Sequence, residues 1–171
     1  QKKNEKAKHR LVGITIETRP DYINEKEILK LREFGVTRVE LGVQSIYDDV
    51  LELNKRGHNI AQTIQATKLL KDAGFKINYH MMPNLPGSTI SRDKKMFREI
   101  FTNENFQPAI LKIYPTVVTK NSELYQWWRQ GKFKPYYSLK HRRQKQDLKT
   151  PTKTGAKFNS FRTIHHQNRI A

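Results

Sequence analysis

Polar side chains recur at alternate positions of four short apolar segments. These segments read LVGITIE, TRVELGVQ, FKINYHMM and ILKIY, and one phase of each is rich in Ile, Val, Leu or Met. Strand residues alternate between faces, so the other phase of each segment presents a polar face. It carries carboxylates, amides, an imidazole and an ammonium, which could bind hydroxyl, ammonium or carboxylate groups. The residues are Thr15, Glu17, Glu40, Gln44, Asn78, His80, Lys112 and Tyr114.

A polar face of this kind is unusual for parallel strands. Strands covered on both sides normally read as continuously apolar, and barrel interiors are filled by Val, Ile and Leu. Burying polar groups without partners costs several kcal/mol. A cavity that holds a polar ligand and water would avoid this cost. An antiparallel sheet with one solvated face is the alternative, and the long helical connections between the segments argue against it.

Helices are predicted between these strands. Strands are expected over 11–17, 37–44, 75–82 and 110–114. Asn24 can cap a helix, with Glu27 completing a capping box and Gly35 just beyond its end. Asn59 can cap a longer helix that ends near Gly74. Apolar spacing and a Pro/Gly loop at 83–89 place further helices at 46–53, around 96–101 and at 122–130.

The alternation of strand and helix predicts an α/β fold. Parallel strands joined by right-handed crossovers can form an open doubly wound sheet or a barrel. Four βα units are too few to close an eight-unit barrel, which takes ~250 residues. We therefore expect a partial (βα) TIM-like barrel with about four βα units. Glu17, Gln44, His80 and Tyr114 would lie at the carboxyl ends of its strands, where barrel sites are built.

The charge is concentrated at the two ends of the chain. The net charge is +17, yet residues 1–10 carry +4 and residues 140–171 carry +8. The sequence predicts a basic N-terminal remnant (1–10), the partial barrel (11–137) and a basic, disordered tail (138–171) without hydrophobic periodicity. The barrel itself is only mildly basic, so charge alone does not decide for or against nucleic-acid binding.

The chain contains no cysteine. This excludes disulfides, zinc–thiolate sites and an iron–sulfur cluster held by this chain alone. No metal ligands are predicted, since His165 and His166 stand in a patternless tail. No apolar run approaches the ~18 residues of a membrane span, and no signal peptide opens the chain. A cytoplasmic location without membrane contact is expected.

Several sequence blocks resemble one enzyme family. GITIETRPD, RVELGVQS, NKRGH and HMMPNLPGS occur in this order, followed by LKIYPT and LYQWWRQGKFKPY. Together they resemble the radical S-adenosylmethionine (SAM) domain of the Elongator catalytic subunit over residues 11–137. PNLPGS lacks the Gly-Lys-Ser/Thr ending of a phosphate loop, so a tight turn is the better interpretation.

The resemblance implies an activity. The family joins a radical SAM partial barrel to an acetyltransferase domain. It uses SAM, a [4Fe-4S] cluster and acetyl-CoA to attach a carboxymethyl precursor to C5 of the wobble uridine of tRNA. The implied partners are tRNA and other Elongator-type subunits. Another radical SAM class, similar to coproporphyrinogen dehydrogenase, is the alternative enzyme.

The resemblance also implies cofactor contacts, although it assigns no catalytic residue. Gln44 and Ser45 should lie near bound SAM, and Glu17 should contact its amino or ribose groups. Arg56 should neutralise the SAM carboxylate through a bidentate fork. His80 occupies the position of a ribose-binding group, and the backbone of Tyr114 should border the adenine.

The chain departs from the family pattern at both ends. The cluster-binding cysteines would lie upstream and the acetyltransferase domain downstream, and neither is present in this sequence. The tail after 137 is typical of a frameshift, with a divergent linker as the alternative. We therefore expect a fragment that is inactive by itself.

An aromatic and basic segment near the end of the barrel suggests RNA contact. Exposed aromatic and basic side chains can stack on bases and neutralise phosphates. The candidates are Trp128, Arg129, Lys132 and Lys134. Packing of the aromatic rings against the barrel, with solvated lysines, is the alternative. A non-catalytic RNA-binding module is accordingly a second hypothesis for the whole chain.

Overall fold

A parallel sheet of four strands forms the centre of the protein. The computed structural model describes residues 2–136, and the strand order is β1-β2-β3-β4. All neighbouring strands pair in parallel. The strands are β1 (Thr15–Thr18), β2 (Arg38–Gln44), β3 (Lys76–Met81) and β4 (Ile110–Ile113). The predicted α/β class with four parallel strands is confirmed.

Helices connect successive strands, as the sequence predicts. The helices are α1 (Lys2–Glu5), α2 (Glu25–Glu33), α3 (Asp48–Leu53), α4 (Ile60–Asp72), α5 (Ile90–Thr102) and α6 (Glu123–Arg129). A 3₁₀ turn, Pro20–Tyr22, follows β1. Neither this turn nor α1 was predicted from the sequence. No helix in the described part of the chain is both long and apolar enough to traverse a bilayer.

The predicted helix caps are present. The side chain of Asn24 accepts a hydrogen bond from the backbone N–H of Glu27 at 3.0 Å. Asn59 and Gln62 form a complete capping box, with both bonds at 2.9 Å. Gly35 adopts a φ of 76° just beyond the C-cap of α2, a conformation that favours glycine. These local signals therefore determine where α2 and α4 begin and where α2 ends.

The apolar phase of the strands packs against the helices. The core joins residues of β2 and β3 to the inward faces of α2, α4 and α5. Its members include Val39, Leu41, Ile77, Tyr79, Ile28, Leu31, Ala66, Leu70, Met96 and Ile100. The polar residues of the strands therefore lie on the opposite face of the sheet.

The first strand is shorter than predicted. The sequence predicts a strand over 11–17, whereas β1 spans Thr15–Thr18. Leu11 and Val12 are 69% and 94% exposed. The ladder begins where Thr15 pairs with Arg38, the first residue of β2. Ahead of it, the oxygen of Ile14 accepts from the N–H groups of Thr37 at 2.9 Å and Arg38 at 3.2 Å. The predicted tail, 138–171, lies outside the described residues.

Candidate functional site

Glu40 is the central acceptor of the polar face. Its side chain is buried, with the residue 4% exposed. Lys112 Nζ donates to its Oε2 at 2.5 Å, and His80 Nε2 lies 2.7 Å from the same oxygen. The hydrogen bond from Lys112, followed by that from His80, outweighs the effect of burial and lowers the pKa of Glu40 to about 2. Glu40 is therefore a carboxylate at neutral pH.

His80 connects this buried carboxylate to an exposed one. His80 is 5% exposed, and its Nδ1 lies 3.2 Å from Oε1 of Glu17, whose side chain is 66% exposed. The ring of Tyr114 packs edge-on against His80, with centroids 5.3 Å apart. Three predicted site residues, Glu17, His80 and Tyr114, thus meet at the carboxyl ends of β1, β3 and β4.

Two further predicted residues approach one another beside Gly42. Gly42 follows Glu40 by two residues in β2, so a side chain there would point to the polar face. A Cβ at Gly42 would lie 3.0 Å from Nε2 of Gln44 and 3.8 Å from Nη2 of Arg56. It would also lie 3.8 Å from the backbone oxygen of Thr18, the last residue of β1. The missing side chain leaves room at the point where these groups converge.

A β-bulge turns Gln44 toward this point. Leu41 pairs with Tyr79, but Gln44 pairs with Met81, so β2 contains one extra residue. Gln44 adopts a φ of 66°, which is uncommon for a residue other than glycine. Bulges of this kind redirect side chains and are frequent beside functional sites.

Ser45 does not share the contacts of Gln44. It is buried, and its hydroxyl accepts a hydrogen bond from the N–H of Tyr47 at 3.3 Å. Its own N–H donates to the oxygen of Val43 at 2.8 Å. These bonds shape the turn that leads into α3, and the position of Ser45 near bound SAM stays a prediction.

Two buried atoms near Gly42 have no hydrogen-bond partner among the described residues. They are Oε1 of Gln44 and Nε of Arg56. Desolvation is the larger cause of a lowered pKa for Arg56, and the positive charge of Arg19 adds to it. An unsatisfied buried polar group typically costs about 1–3 kcal/mol. Such atoms mark a place where a polar ligand would be stabilised.

A cavity of about 320 Å³ adjoins Arg56. Its walls come from the end of α3, the loops after β3 and β4, and α6. Leu85, Val117 and Trp127 supply apolar surface, and Lys55 pairs with Glu123 at 2.7 Å between two of its walls. Arg56 thus borders a space of mixed apolar and charged character.

Three side chains of the polar face could act as metal ligands. Their ligand atoms lie within 4.8 Å of one another, and the residues are Glu17, Glu40 and His80. This spacing would suit a metal ion, but the ammonium of Lys112 already compensates the charge of Glu40. No role was predicted for Glu40 or Lys112 from the sequence, although both were placed on the polar face. Strand register is the signal that was missing, because Glu17 pairs with Glu40 and His80 pairs with Lys112.

The predicted RNA-contact residues lie on and after α6. Trp128 is 46% exposed and stacks at a tilt with Tyr125, with centroids 5.7 Å apart. Arg129, Lys132 and Lys134 are exposed. Phe133, between the two lysines, is buried. The segment therefore has an apolar anchor and a basic outer surface, and its contact with RNA stays a prediction.

Comparison with known proteins identifies two family regions. The model of the Radical SAM superfamily matches residues 1–100, and that of the Radical_SAM C-terminal domain matches residues 108–141. A tRNA uridine(34) acetyltransferase of Methanocaldococcus infernus is 60% identical over 136 residues, which are 80% of this chain and 26% of that protein. Elongator complex protein 3 of Homo sapiens is 43% identical over 135 residues, 79% of this chain and 25% of that protein.

Solved structures give the same result for the fold. The structure of Methanocaldococcus infernus Elp3 with an N-terminal deletion matches with a TM-score of 0.74 and 60% identity, covering 78% of this chain and 31% of that one. Coproporphyrinogen III oxidase (HemN) of Escherichia coli, a radical SAM enzyme, matches with a TM-score of 0.57. It is 22% identical over 71% of this chain and 27% of its own, so this likeness shows the fold alone. The chain spans about a quarter of the length of the curated relatives it matches.

Proposed function

This chain belongs to the radical SAM superfamily, and we propose on that premise that its polar strand-end face binds SAM in an enzyme that modifies uridine 34 of tRNA. The observation that carries the proposal is the convergence of Gln44 and Arg56 beside Gly42, where two buried polar atoms have no hydrogen-bond partner among residues 2–136. The relatives named tRNA uridine(34) acetyltransferase support the substrate.

The chemistry of the site suits SAM. Arg56 would pair with the carboxylate, since a guanidinium offers two parallel donors. Gln44 would bond the amino acid group, and Glu17 and His80 would accept from the ammonium or ribose hydroxyls. The backbone of Tyr114 would border the adenine. When bound, SAM supplies the reactive group, while these residues orient it and limit access of water.

The iron–sulfur cluster does not fit the residues of this chain. Its usual ligands are cysteine thiolates, and the sequence has no cysteine. The residues above therefore account for SAM binding and orientation only.

The finer features of the activity are also proposals. Reaction at C5 of the uridine with acetyl-CoA, tRNA as partner, association with Elongator-type subunits and a cytoplasmic location rest on the family resemblance. The relatives named acetyltransferase support the acyl donor. None of the described residues is assigned to acetyl-CoA.

Binding of SAM to site variants tests the proposal. Arg56→Ala or Gln44→Ala should weaken SAM binding roughly ten- to hundredfold, because one charge-assisted hydrogen bond contributes about 1.5–3 kcal/mol. NMR titration with SAM measures even weak affinities. Arg98→Ala and Gln65→Ala, at exposed helix positions, are the matched controls. Equal SAM affinity in both site variants and the unaltered chain would refute the assignment.

A second candidate function is RNA binding without catalysis. The exposed Trp128, Arg129, Lys132 and Lys134 favour it. Each phosphate contact contributes ~0.7–0.9 to the slope of log K against log salt concentration. Replacing the three basic residues with Ala should therefore make this slope for tRNA binding less steep by up to about two to three. The unaltered chain decides between the functions, because a module of this kind binds tRNA but not SAM.

A further inference from the structure

The position of one proton on His80 follows from its partners. Nε2 of His80 lies 2.7 Å from Oε2 of Glu40, and Lys112 Nζ donates to the same oxygen. A carboxylate only accepts hydrogen bonds. Because the low pKa of Glu40 keeps it ionised, the contact requires a proton on Nε2 of His80. In the neutral ring, Nδ1 is then an acceptor.

The opposite tautomer would be less favourable. It would place the lone pair of Nε2 against a buried carboxylate oxygen, where water cannot intervene. Two acceptors facing each other in a buried site lose their hydrogen bonds and repel. On the other side of the ring, Glu17 has an exposed side chain, so its oxygens can bond to water or to a ligand. The ring is therefore oriented by its buried partner.

The arrangement leaves two acceptors at the surface of the site. Nδ1 of His80 and Oε1 of Glu17 lie 3.2 Å apart. Neither atom carries a proton when the ring is neutral and the carboxylate is ionised. A hydroxyl or ammonium donor placed beside them would satisfy both, so the pair selects ligands that carry such donors.

We propose that Glu40 and Lys112 are positioning residues that hold His80 in its Nε2–H tautomer and thereby present Nδ1, together with Glu17, as an acceptor pair for a ligand hydroxyl. This inference rests on the proposed function, in which the ligand is SAM and the donors are its ribose hydroxyls or its ammonium. Lys112 sets the position of the accepting oxygen, because it bonds the same Oε2 as His80.

Nitrogen-15 NMR of the histidine ring tests the tautomer directly. In the full chain we expect the neutral His80 ring to carry its proton on Nε2. Glu40→Met removes the acceptor, and the proton should move to Nδ1 and bond Glu17. Glu40→Gln should restore the Nε2–H form, since its amide oxygen can accept from both His80 and Lys112. Adding Lys112→Met to Glu40→Gln should give a mixture, because the cation that holds the accepting oxygen beside His80 is then absent.

Titration with SAM supplies the functional readout. Loss of one acceptor should weaken SAM binding about tenfold in Glu40→Met, and Glu40→Gln should recover most of it. Lys30→Met, which removes a surface cation of α2, is the control and should leave SAM affinity unchanged.

The outcomes separate the inference from the proposed function. A neutral His80 ring protonated on Nδ1 in the unaltered chain overturns the inference without any variant. So does a Glu40→Met variant that keeps the Nε2–H form or the full SAM affinity. If the unaltered chain shows the expected tautomer but binds no SAM, the proposed cofactor is wrong, whereas the positioning role of Glu40 stands.

Discussion

Replacement of Asp93 should separate the loss of a charge from the loss of an acceptor. Asp93 belongs to α5 and is only 5% exposed. Its Oδ2 accepts hydrogen bonds from the N–H of Asn84 at 2.7 Å and the hydroxyl of Tyr136 at 2.8 Å, and its Oδ1 accepts from Ser88 Oγ at 2.5 Å. Asn84 in turn accepts from the N–H of Tyr136 at 2.6 Å. This carboxylate therefore ties together α5, the loop after β3 and the last described residue.

The expected magnitudes differ between two substitutions. Asp93→Ala removes all three acceptor contacts and leaves the N–H of Asn84 without a partner in a buried loop. Hydrogen bonds to charged groups contribute about 1.5–3 kcal/mol and an orphaned donor costs about 1–3 kcal/mol, so a net loss of about 3–5 kcal/mol is expected. In Asp93→Asn the amide oxygen can replace Oδ2 and the NH₂ can donate to Ser88, so the loss should be about 1 kcal/mol.

Urea unfolding of the two variants measures the difference. Tyr136→Phe should destabilise the unaltered chain by about 1.5 kcal/mol but should have little further effect in Asp93→Ala, because its partner is already absent. Asp72→Asn, at an exposed position at the end of α4, is the control. Equal losses in Asp93→Ala and Asp93→Asn, or full additivity with Tyr136→Phe, would show that the three hydrogen bonds do not act together.

Three other results are expected. Gly42→Ala should weaken SAM binding about tenfold in NMR titration, because its Cβ would displace the amide of Gln44, from which it would lie only 3.0 Å; unchanged affinity would contradict this. The pKa of Glu40 is lowered from 4.5 to about 2, so the stability it contributes is present above pH 4.5 and is lost as the pH falls toward 2. In Lys112→Met the pKa of Glu40 in the folded state should lie closer to 4.5, so this loss should be smaller and should end at a higher pH. Urea unfolding between pH 5 and 2.5 that shows no difference from the unaltered chain would disprove the role of Lys112. Finally, anaerobic addition of iron, sulfide, reductant and SAM should give neither cluster absorbance nor 5′-deoxyadenosine, because the chain has no cysteine; formation of both would show that it is not inactive by itself.

Local patterns predicted the elements of the fold well. The caps at Asn24 and Asn59 and the glycines at 35 and 74 define helix ends through interactions within a few residues of sequence. The alternation of polar and apolar residues correctly assigned the two faces of β2 and β3, since side-chain direction in a strand depends only on residue parity. Prediction therefore worked where the cause is local.

Predictions that depended on pairing between distant segments were less complete. The sequence did not indicate the bulge at Gln44, because the extra residue is defined only against Met81 of β3. It placed Glu40 on the polar face without indicating its link to Lys112, which depends on the register of two further strands. The contact between Asp93 and Tyr136 joins residues 43 positions apart and leaves no periodic signal. Each of these features requires the three-dimensional register of the chain.

The two parts of the polar face differ in how their buried groups are satisfied, and this difference bears on function. Around Glu40, opposite charges and hydrogen bonds compensate the buried carboxylate. Around Gly42, the amide oxygen of Gln44 and Nε of Arg56 have no hydrogen-bond partner within the described part of the chain. A protein under selection for stability alone would gain by replacing such groups with apolar ones. A ligand that bonds them should stabilise the folded state in proportion to its affinity, by RT ln(1 + [L]/Kd). Saturating SAM should therefore raise the melting temperature of the unaltered chain, and this increase should be reduced in Arg56→Ala, in which one of the unsatisfied groups has been removed.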